Sequence, residues 1–540
     1  MKAPSAAWTA LPVLILLGAA SGLAAECEGI AALKLPHTTI TLAQTVAAGA
    51  FKLPPGVSSA IVIYPYAKLP AFCRVSGSIR PSPDSNIQFE IWMPASGWNG
   101  KLQGVGNGGF AGDIPYMLLS PAVANGYAVV ASDTGHTGGD ASWALGHPEK
   151  VVDFGYRAVH ETTVAAKSIL RAFYQAPPRY SYFCSCSNGG RQALMEAQRY
   201  PEDYDGILAG APANYWTHLM SGFAWDVAAL NAPGSYIPAA KLKAIEAAAL
   251  AACDARDGLA DGLIDDPPQC HFDPAVLLCH GPESDACLTE PQLSALRKIY
   301  AGPRNAAGIV FPGYQPGGET GLLGWSSWIT GTGPGKGEQA RFATQYFGNM
   351  VTGNPAWDVN TFDPNKDVQA ADDKTAAMLN ATSPDLKAFQ ARGGKLILYH
   401  GWSDAAIAPE NTINYYRSVV SAMGQNQTSG FVRLFMAPGM QHCFLGPGPN
   451  SFGQLTPATP AEPQHDISLA LEQWVEKGIA PESIIATKFK SDFNPAGGVA
   501  RTRPLCAYPK VARWNGKGSS DDAANFTCVA EPESSARSAR

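Results

Sequence analysis

Residues Tyr180-Ser181-Tyr182-Phe183-Cys184-Ser185-Cys186-Ser187-Asn188-Gly189-Gly190-Arg191-Gln192 decide the fold. An apolar run that shortens into small residues and is followed at once by helix-forming sequence reads as a strand turning abruptly into a helix. Such a turn lifts its central residue to an exposed tip, and the backbones pass without a clash only if the positions two before and two after are small. Ser187 occupies the tip and Gly189 the later small position. Ser185 stands at the earlier one, where glycine is usual. Taken alone, an S-x-S-x-G match is weak, because ordinary turns also collect serine and glycine.

The surrounding sequence adds weight. Short apolar strands at Lys101–Val105, Tyr127–Ser132, Tyr180–Cys184 and Gly206–Ala211 alternate with helical spacing at Tyr156–Phe173 and Gly189–Arg199. That rhythm implies a parallel sheet covered by helices. Ahead of it, Ile61–Tyr64, Phe72–Ile79 and Ile87–Met93 read as antiparallel strands. The rhythm then stops and resumes at Lys395–His400, with a helix over Pro409–Met423, a strand at Phe431–Met436, a helix over Ile467–Lys477 stopped by Gly478, and a strand at Ile484–Phe489. The interruption holds four cysteines, an acidic loop and the aromatic-rich stretch Gly321–Phe347. It predicts a lid domain at 214–380 inserted between two parts of the core, 26–213 and 381–530, with a polar, mobile tail at 531–540.

Two further segments follow predicted strands, Tyr399-His400-Gly401-Trp402-Ser403-Asp404 and Gly439-Met440-Gln441-His442-Cys443. The chain order Ser, Asp, His is the one imposed by the α/β-hydrolase fold, in which each member sits on a loop at the carboxyl end of a strand. Ser187 is therefore the expected nucleophile, His442 the general base and Asp404 its partner. His400, four residues before Asp404 on the same strand end, is the rival histidine and is expected beside the substrate pocket. An oxyanion needs two backbone N–H donors. Asn188 is the first, and Gly106-Asn107-Gly108-Gly109-Phe110 supplies the second. Gly109 is favoured there, although the sequence does not separate it from Gly108.

The 540 residues suffice for a large enzyme or several domains, and 46% hydrophobic against 16% charged residues, with 55 Gly and 43 Pro, describes a packed, loop-rich globule. A net charge of −6 and the lack of any basic block exclude a nucleic-acid-binding surface as the main function. Residues 1–25 read as a secretory signal, with Lys2, the apolar Leu11–Ala20 and the small Gly22, Ala24 and Ala25 at a cleavage site. No later run is long enough to span a membrane. A secreted or periplasmic protein is expected, and eleven cysteines suit that oxidising compartment.

The chain resembles the tannase and feruloyl esterase family of secreted α/β-hydrolases over nearly its whole mature length. Its most specific mark is the pair Cys186-Ser187 and His442-Cys443. The resemblance implies a disulfide between Cys186 and Cys443, tying the nucleophile turn to the histidine loop. Near-neighbour pairing then suggests Cys27–Cys73, Cys253–Cys270, Cys279–Cys287 and Cys506–Cys528, which leaves Cys184 as an inert buried thiol.

In the inserted region, Asp254-Ala255-Arg256-Asp257-Gly258-Leu259-Ala260-Asp261-Gly262-Leu263 places three carboxylates within eight residues. Hard oxygen donors and glycines that let the loop curl suit structural Ca²⁺, and the spacing is not that of an EF-hand. The resemblance assigns Asp254, Asp257 and Asp261 through side chains, and Leu259 and Leu263 through carbonyls.

The resemblance also implies a serine carboxylic ester hydrolase acting on small aromatic acyl esters of feruloyl, caffeoyl or galloyl type. Trp325, Trp328, Phe342 and Ile407 are expected to wall the acyl site beside His400. Alternatives are a tannase or an aromatic diacid monoester hydrolase, for which Arg341 is the nearby cation, a peptidase or thioesterase with the same triad, and a non-catalytic binding protein on a hydrolase scaffold.

Overall fold

The computed structural model describes residues 26–57, 63–455, 460–492 and 494–530. The expected signal at 1–25 and tail at 531–540 lie outside the described residues. Nine strands form one sheet: β1 (Thr38–Val46), β2 (Phe72–Ile79), β3 (Ile87–Pro94), β4 (Lys101–Gly104), β5 (Ala128–Ser132), β6 (Tyr180–Cys186), β7 (Gly206–Gly210), β8 (Lys395–Gly401) and β9 (Val432–Ala437). Their spatial order is β1-β2-β3-β5-β4-β6-β7-β8-β9. Pairing is antiparallel from β1 to β5 and parallel from β5 to β9. The nucleophile strand β6 thus lies inside the parallel part.

Burial explains the strand sequences. β5 and β7 are buried at every position, as strands covered on both faces must be, and read as continuous small or apolar runs. In β8 the period of two is visible. Leu396 and Leu398 join the core that includes Leu194, Ile413 and Val419, while Ile397 and Tyr399 join the opposite one with Leu471 and Trp474. The helices Asn188–Arg199 and Glu410–Met423 therefore cover one face, and Ile467–Lys477 the other. The last of these starts where the Asp466 carboxylate accepts the N–H groups of Ser468 and Leu469, and ends at Gly478 with φ of 72°.

β7 and β8 are neighbours in the sheet, and residues 211–394 run between them. This segment carries the helices Trp216–Asn231, Ala239–Cys253, Glu290–Ala301 and Glu338–Tyr346. Its apolar side chains, including Phe223, Leu296 and Trp325, share one core with Phe110, Trp143 and the turn Ala405–Ala408 from the loops of the sheet. That continuity seats the insertion over the strand ends.

Two sequence expectations need correction, and one strand goes beyond them. β1 was not anticipated, because its alternating Thr, Ala and Gln residues leave a weak apolar signal, as befits an edge strand. The strand expected at Ile61–Tyr64 falls partly outside the described residues, and Ile63 and Tyr64 form a bend. The strand over Ser483–Phe489 exists but pairs with Val499–Cys506 in a separate two-stranded sheet. All five expected disulfides are formed. Cys184 is unpaired and half-buried, and burial pushes its thiol up to about 12. Among the described residues no helix is long and apolar enough to cross a membrane.

Candidate active site

β6 ends at Cys186, Ser187 takes φ 66° and ψ −127°, and the helix begins at Asn188. This is a backbone region that a side chain occupies only at a cost of about 1–3 kcal/mol, met by the surrounding structure. Ser187 N–H donates to Gly210 O at 3.0 Å, and its carbonyl accepts from Arg191 and Ala213, both at 3.1 Å. The turn is crowded. A Cβ on Gly189 would lie 1.9 Å from Ser185 Oγ, and one on Gly106 would lie 2.8 Å from Gly189 Cα. Ser185 is therefore admissible in place of the usual glycine, whereas Gly189 and Gly106 have no room for a side chain.

His442 lies on the loop after β9, with Nε2 2.9 Å from Ser187 Oγ and Nδ1 2.8 Å from Asp404 Oδ2. Asp404 follows β8, and its Oδ1 accepts the N–H groups of Ala406 at 2.8 Å and Ile407 at 2.9 Å. Burial works to raise the Asp404 carboxyl, but the adjoining imidazoles of His442 and His400 hold it well below the usual carboxylate range. Asp404 thus stays anionic across ordinary pH. The disulfide Cys186–Cys443 joins the residues flanking Ser187 and His442.

Asn188 opens the helix after Ser187, so its N–H precedes the first intrahelical bond, Arg191 N–H to Ser187 O. Its side chain is turned inward, with Oδ1 accepting from Arg191 Nε at 2.8 Å. Across the cavity, Asn107 pins the glycine turn, donating through Nδ2 to Asp113 O and Ser132 O at 2.8 Å and through its backbone to Gln192 Oε1 at 3.0 Å. Gly109 has φ 54°, and a Cβ there would approach Phe342 to 3.1 Å; one on Gly108 would meet nothing.

Ser187, His442 and the turn Gly106–Gly109 line a cavity of about 520 Å³ together with Ile114, Met117, Leu118, Trp328 and Leu455. Trp328 meets the His442 ring edge-on at 5.3 Å and stacks on Phe342 at 6.0 Å. Phe342 lies behind that wall, against Gly109 and Phe110. The other expected wall residues are placed differently. Trp325 is buried among Tyr300 and Tyr314, because its large apolar face completes the core of the insertion. His400 is fully buried against Asp404 and Thr412, and Ile407 supports Asp404 through its backbone N–H while its side chain joins the core. Arg341 pairs with Glu338 and lies over the Phe342 ring, outside the lining. Sequence reasoning missed Ile114–Leu118. An apolar run directly after a glycine turn that faces the nucleophile was the available signal.

In the acidic loop, Asp254 accepts the N–H groups of Asp261 at 3.1 Å and Gly262 at 2.9 Å, and Asp257 that of Leu259 at 2.9 Å. Arg501 and Arg503 both hold Asp261 Oδ2, while its Oδ1 is buried without a partner among the described residues. Burial raises the Asp257 carboxyl, and the charges of Asp261 and Asp254 add to the rise. Among the described residues no three His, Cys, Asp or Glu side chains are gathered as a metal site would gather them. The three carboxylates and the orphaned Asp261 Oδ1 are hard oxygen donors of the kind calcium takes, while the two guanidiniums on Asp261 Oδ2 offset part of the loop's charge.

The chain is similar in sequence and fold to known proteins. The family described as "Tannase and feruloyl esterase" matches residues 73–529. An uncharacterized esterase of Xanthomonas campestris pv. campestris is 46% identical, covering 96% of this chain and 93% of its own. The protein named "Probable feruloyl esterase B-2" of Aspergillus flavus is 37% identical over 81% of this chain and 83% of its own. The solved structure of feruloyl esterase B from Aspergillus oryzae superposes with a TM-score of 0.84 at 31% identity, covering 94% of this chain and 100% of that one. For tannin acyl hydrolase from Aspergillus niger, at 24% identity and a TM-score of 0.75, the likeness concerns the fold alone. With the α/β-hydrolase sheet, the strained serine turn and these relatives together, the chain belongs to the tannase and feruloyl esterase family and is a carboxylic ester hydrolase.

Proposed function

We propose that this hydrolase cleaves esters of aromatic acids of feruloyl, caffeoyl or galloyl type through an acyl-enzyme on Ser187. The observation that carries the reading is the cavity of about 520 Å³ in which Ser187 and His442 face an apolar wall of Ile114, Met117, Leu118 and Trp328. A flat aryl ring fits such a wall. The relatives named feruloyl esterase support the same class.

In this mechanism Ser187 Oγ attacks the ester carbonyl as its proton passes to His442 Nε2, 2.9 Å away. Asp404 stabilises the imidazolium through the 2.8 Å contact with Nδ1. The N–H groups of Asn188 and Gly109 receive the oxyanion. Collapse expels the alcohol, which takes the proton from His442, and water repeats the sequence to release the acid.

Among the described residues lining the cavity Asp113 is the one acidic side chain and no Lys or Arg accompanies it, although burial raises its carboxyl. A carboxylate there repels an anionic acyl group, so esters of uncharged aromatic acids are preferred over diacid monoesters. Export to an oxidising compartment accords with the five disulfides. Calcium held by Asp254, Asp257, Asp261 and the carbonyls of Leu259 and Leu263 would fasten the insertion, a purely structural role.

The test is a comparison of kcat/KM across methyl ferulate, caffeate, gallate and butyrate. At least one aromatic ester should exceed the butyrate by more than about tenfold, equivalent to about 1.4 kcal/mol. Equal or better turnover of the butyrate would refute the aromatic assignment.

A further inference from the structure

His400 is the penultimate residue of β8, four residues before Asp404, and has no exposed surface. Its Nε2 lies 3.0 Å from Asp404 Oδ2, the same oxygen that His442 Nδ1 meets at 2.8 Å. The other oxygen, Oδ1, is occupied by the N–H groups of Ala406 and Ile407. The carboxylate therefore receives four donors, two on each oxygen, which matches its lone-pair capacity. His400 Nε2 is also 3.1 Å from Ile407 O. Facing two acceptors, that nitrogen must carry the hydrogen. Nδ1, 2.7 Å from Thr412 Oγ1, then accepts the threonine hydroxyl. The ring is held at both ends, by Thr412 on the helix Glu410–Met423 and by Asp404 on the loop.

We infer that His400 is a positioning residue for the hydrolytic reaction: a second imidazole N–H, oriented by Thr412, that keeps Asp404 Oδ2 directed at His442. The inference rests on Ser187, His442 and Asp404 acting as proposed above. Without His400 the two backbone N–H groups still hold Oδ1, but Oδ2 keeps His442 alone and can swing with it, so that the His442 ring tilts away from Ser187. Rate is steep in such geometry. His400 touches neither Ser187 nor the cavity, so its loss should act on the chemical step and leave substrate binding in place.

The test compares His400→Leu, His400→Gln, Thr412→Val and Ser187→Ala in the full-length protein, with 4-nitrophenyl acetate and methyl ferulate. His400→Leu removes the donor and should lower kcat by about thirtyfold or more while KM changes less than about threefold. His400→Gln restores an N–H at comparable reach and should return kcat to within about fivefold of the parent. Thr412→Val preserves volume, removes the hydroxyl on Nδ1 and should lower kcat by about three- to tenfold with KM steady. If His400→Leu does not fold, the glutamine and valine variants carry the same contrast. Equal impairment of the leucine and glutamine variants, a rise in KM with kcat unchanged, or parental kcat in Thr412→Val would overturn the assignment. Should Ser187→Ala keep its activity, the proposed triad itself fails, an outcome distinct from an inactive Ser187→Ala beside an unimpaired His400→Leu.

Discussion

Cys186 and Cys443 are disulfide-bonded, and each is the immediate chain neighbour of a partner in the 2.9 Å hydrogen bond between Ser187 and His442. A covalent strut thus runs beside the contact on which proton transfer depends. It also closes a separation of 257 residues, which the loop-entropy account values at about 5 kcal/mol as an upper limit. Substituting both cysteines by alanine should lower kcat by at least about tenfold and depress Tm. The same change at Cys279 and Cys287, eight residues apart in the insertion, should leave kcat near the parental value. Similar kinetics for the two double variants would show that the first bridge acts on stability alone.

The two tryptophans of the insertion should separate in kind. Trp328 lines the cavity and meets His442 edge-on, so Trp328→Ala should lower kcat/KM for aromatic esters by about tenfold with little change in Tm. Trp325 is 1% exposed, and Trp325→Ala should cost about 3–5 kcal/mol of stability by leaving a cavity in the core. Denaturant titration alongside kinetics checks both.

Much of this was legible in the sequence because it rests on short-range chemistry. The strained turn at Ser187 needs small neighbours, and the motifs at Asp404 and His442 each follow an apolar run that forms a strand. The alternation of β4 to β9 with helices was likewise visible, since strands buried on both faces must be apolar throughout. What escaped was decided by tertiary packing. Trp325 and Trp328 stand three residues apart with the same chemistry, and only the seating of the insertion sends one into the core and the other to the cavity. His400 and Ile407 flank Asp404 in sequence, yet both face away from the substrate, because the carboxylate draws their N–H groups to itself. The cavity wall Ile114–Leu118 carried only the signal of its place after the glycine turn, and the seating of that turn against the nucleophile helix is what brings it to the serine.

Stability should fall as pH rises through the neutral range. Burial pushes the carboxyls of Glu319 and Asp133 up to about 7 in the folded protein, against about 4 for an unperturbed carboxyl. Between those values the unfolded chain binds fewer protons than the folded one. The stability these groups contribute is therefore complete below about 4 and is lost as pH climbs through about 7. Asp404 has the opposite sign, but its contribution is lost only as pH falls well below the usual carboxylate range. Tm measured at pH 5, 6, 7 and 8 in one buffer system should decline. A flat or rising series would mean that neither group is held protonated.

Chelation tests the acidic loop. A cation bound only by the folded insertion adds stability by mass action, so EDTA should lower Tm and added calcium restore it. Asp257→Ala should abolish that response while leaving the Asp261 contacts with Arg501 and Arg503 in place. Protein purified without calcium by elemental analysis, and indifferent to chelator, would mean that the two arginines alone satisfy the loop.

The most direct test of the central claim is to follow esterase activity and intact mass together during reaction with a fluorophosphonate, then map the modified peptide. The account predicts one adduct on Ser187, loss of activity in step with its formation, and neither labelling nor more than about a thousandth of the parental rate in Ser187→Ala. Modification of Ser185 or another serine with parallel loss of activity, or an active Ser187→Ala variant, would contradict it.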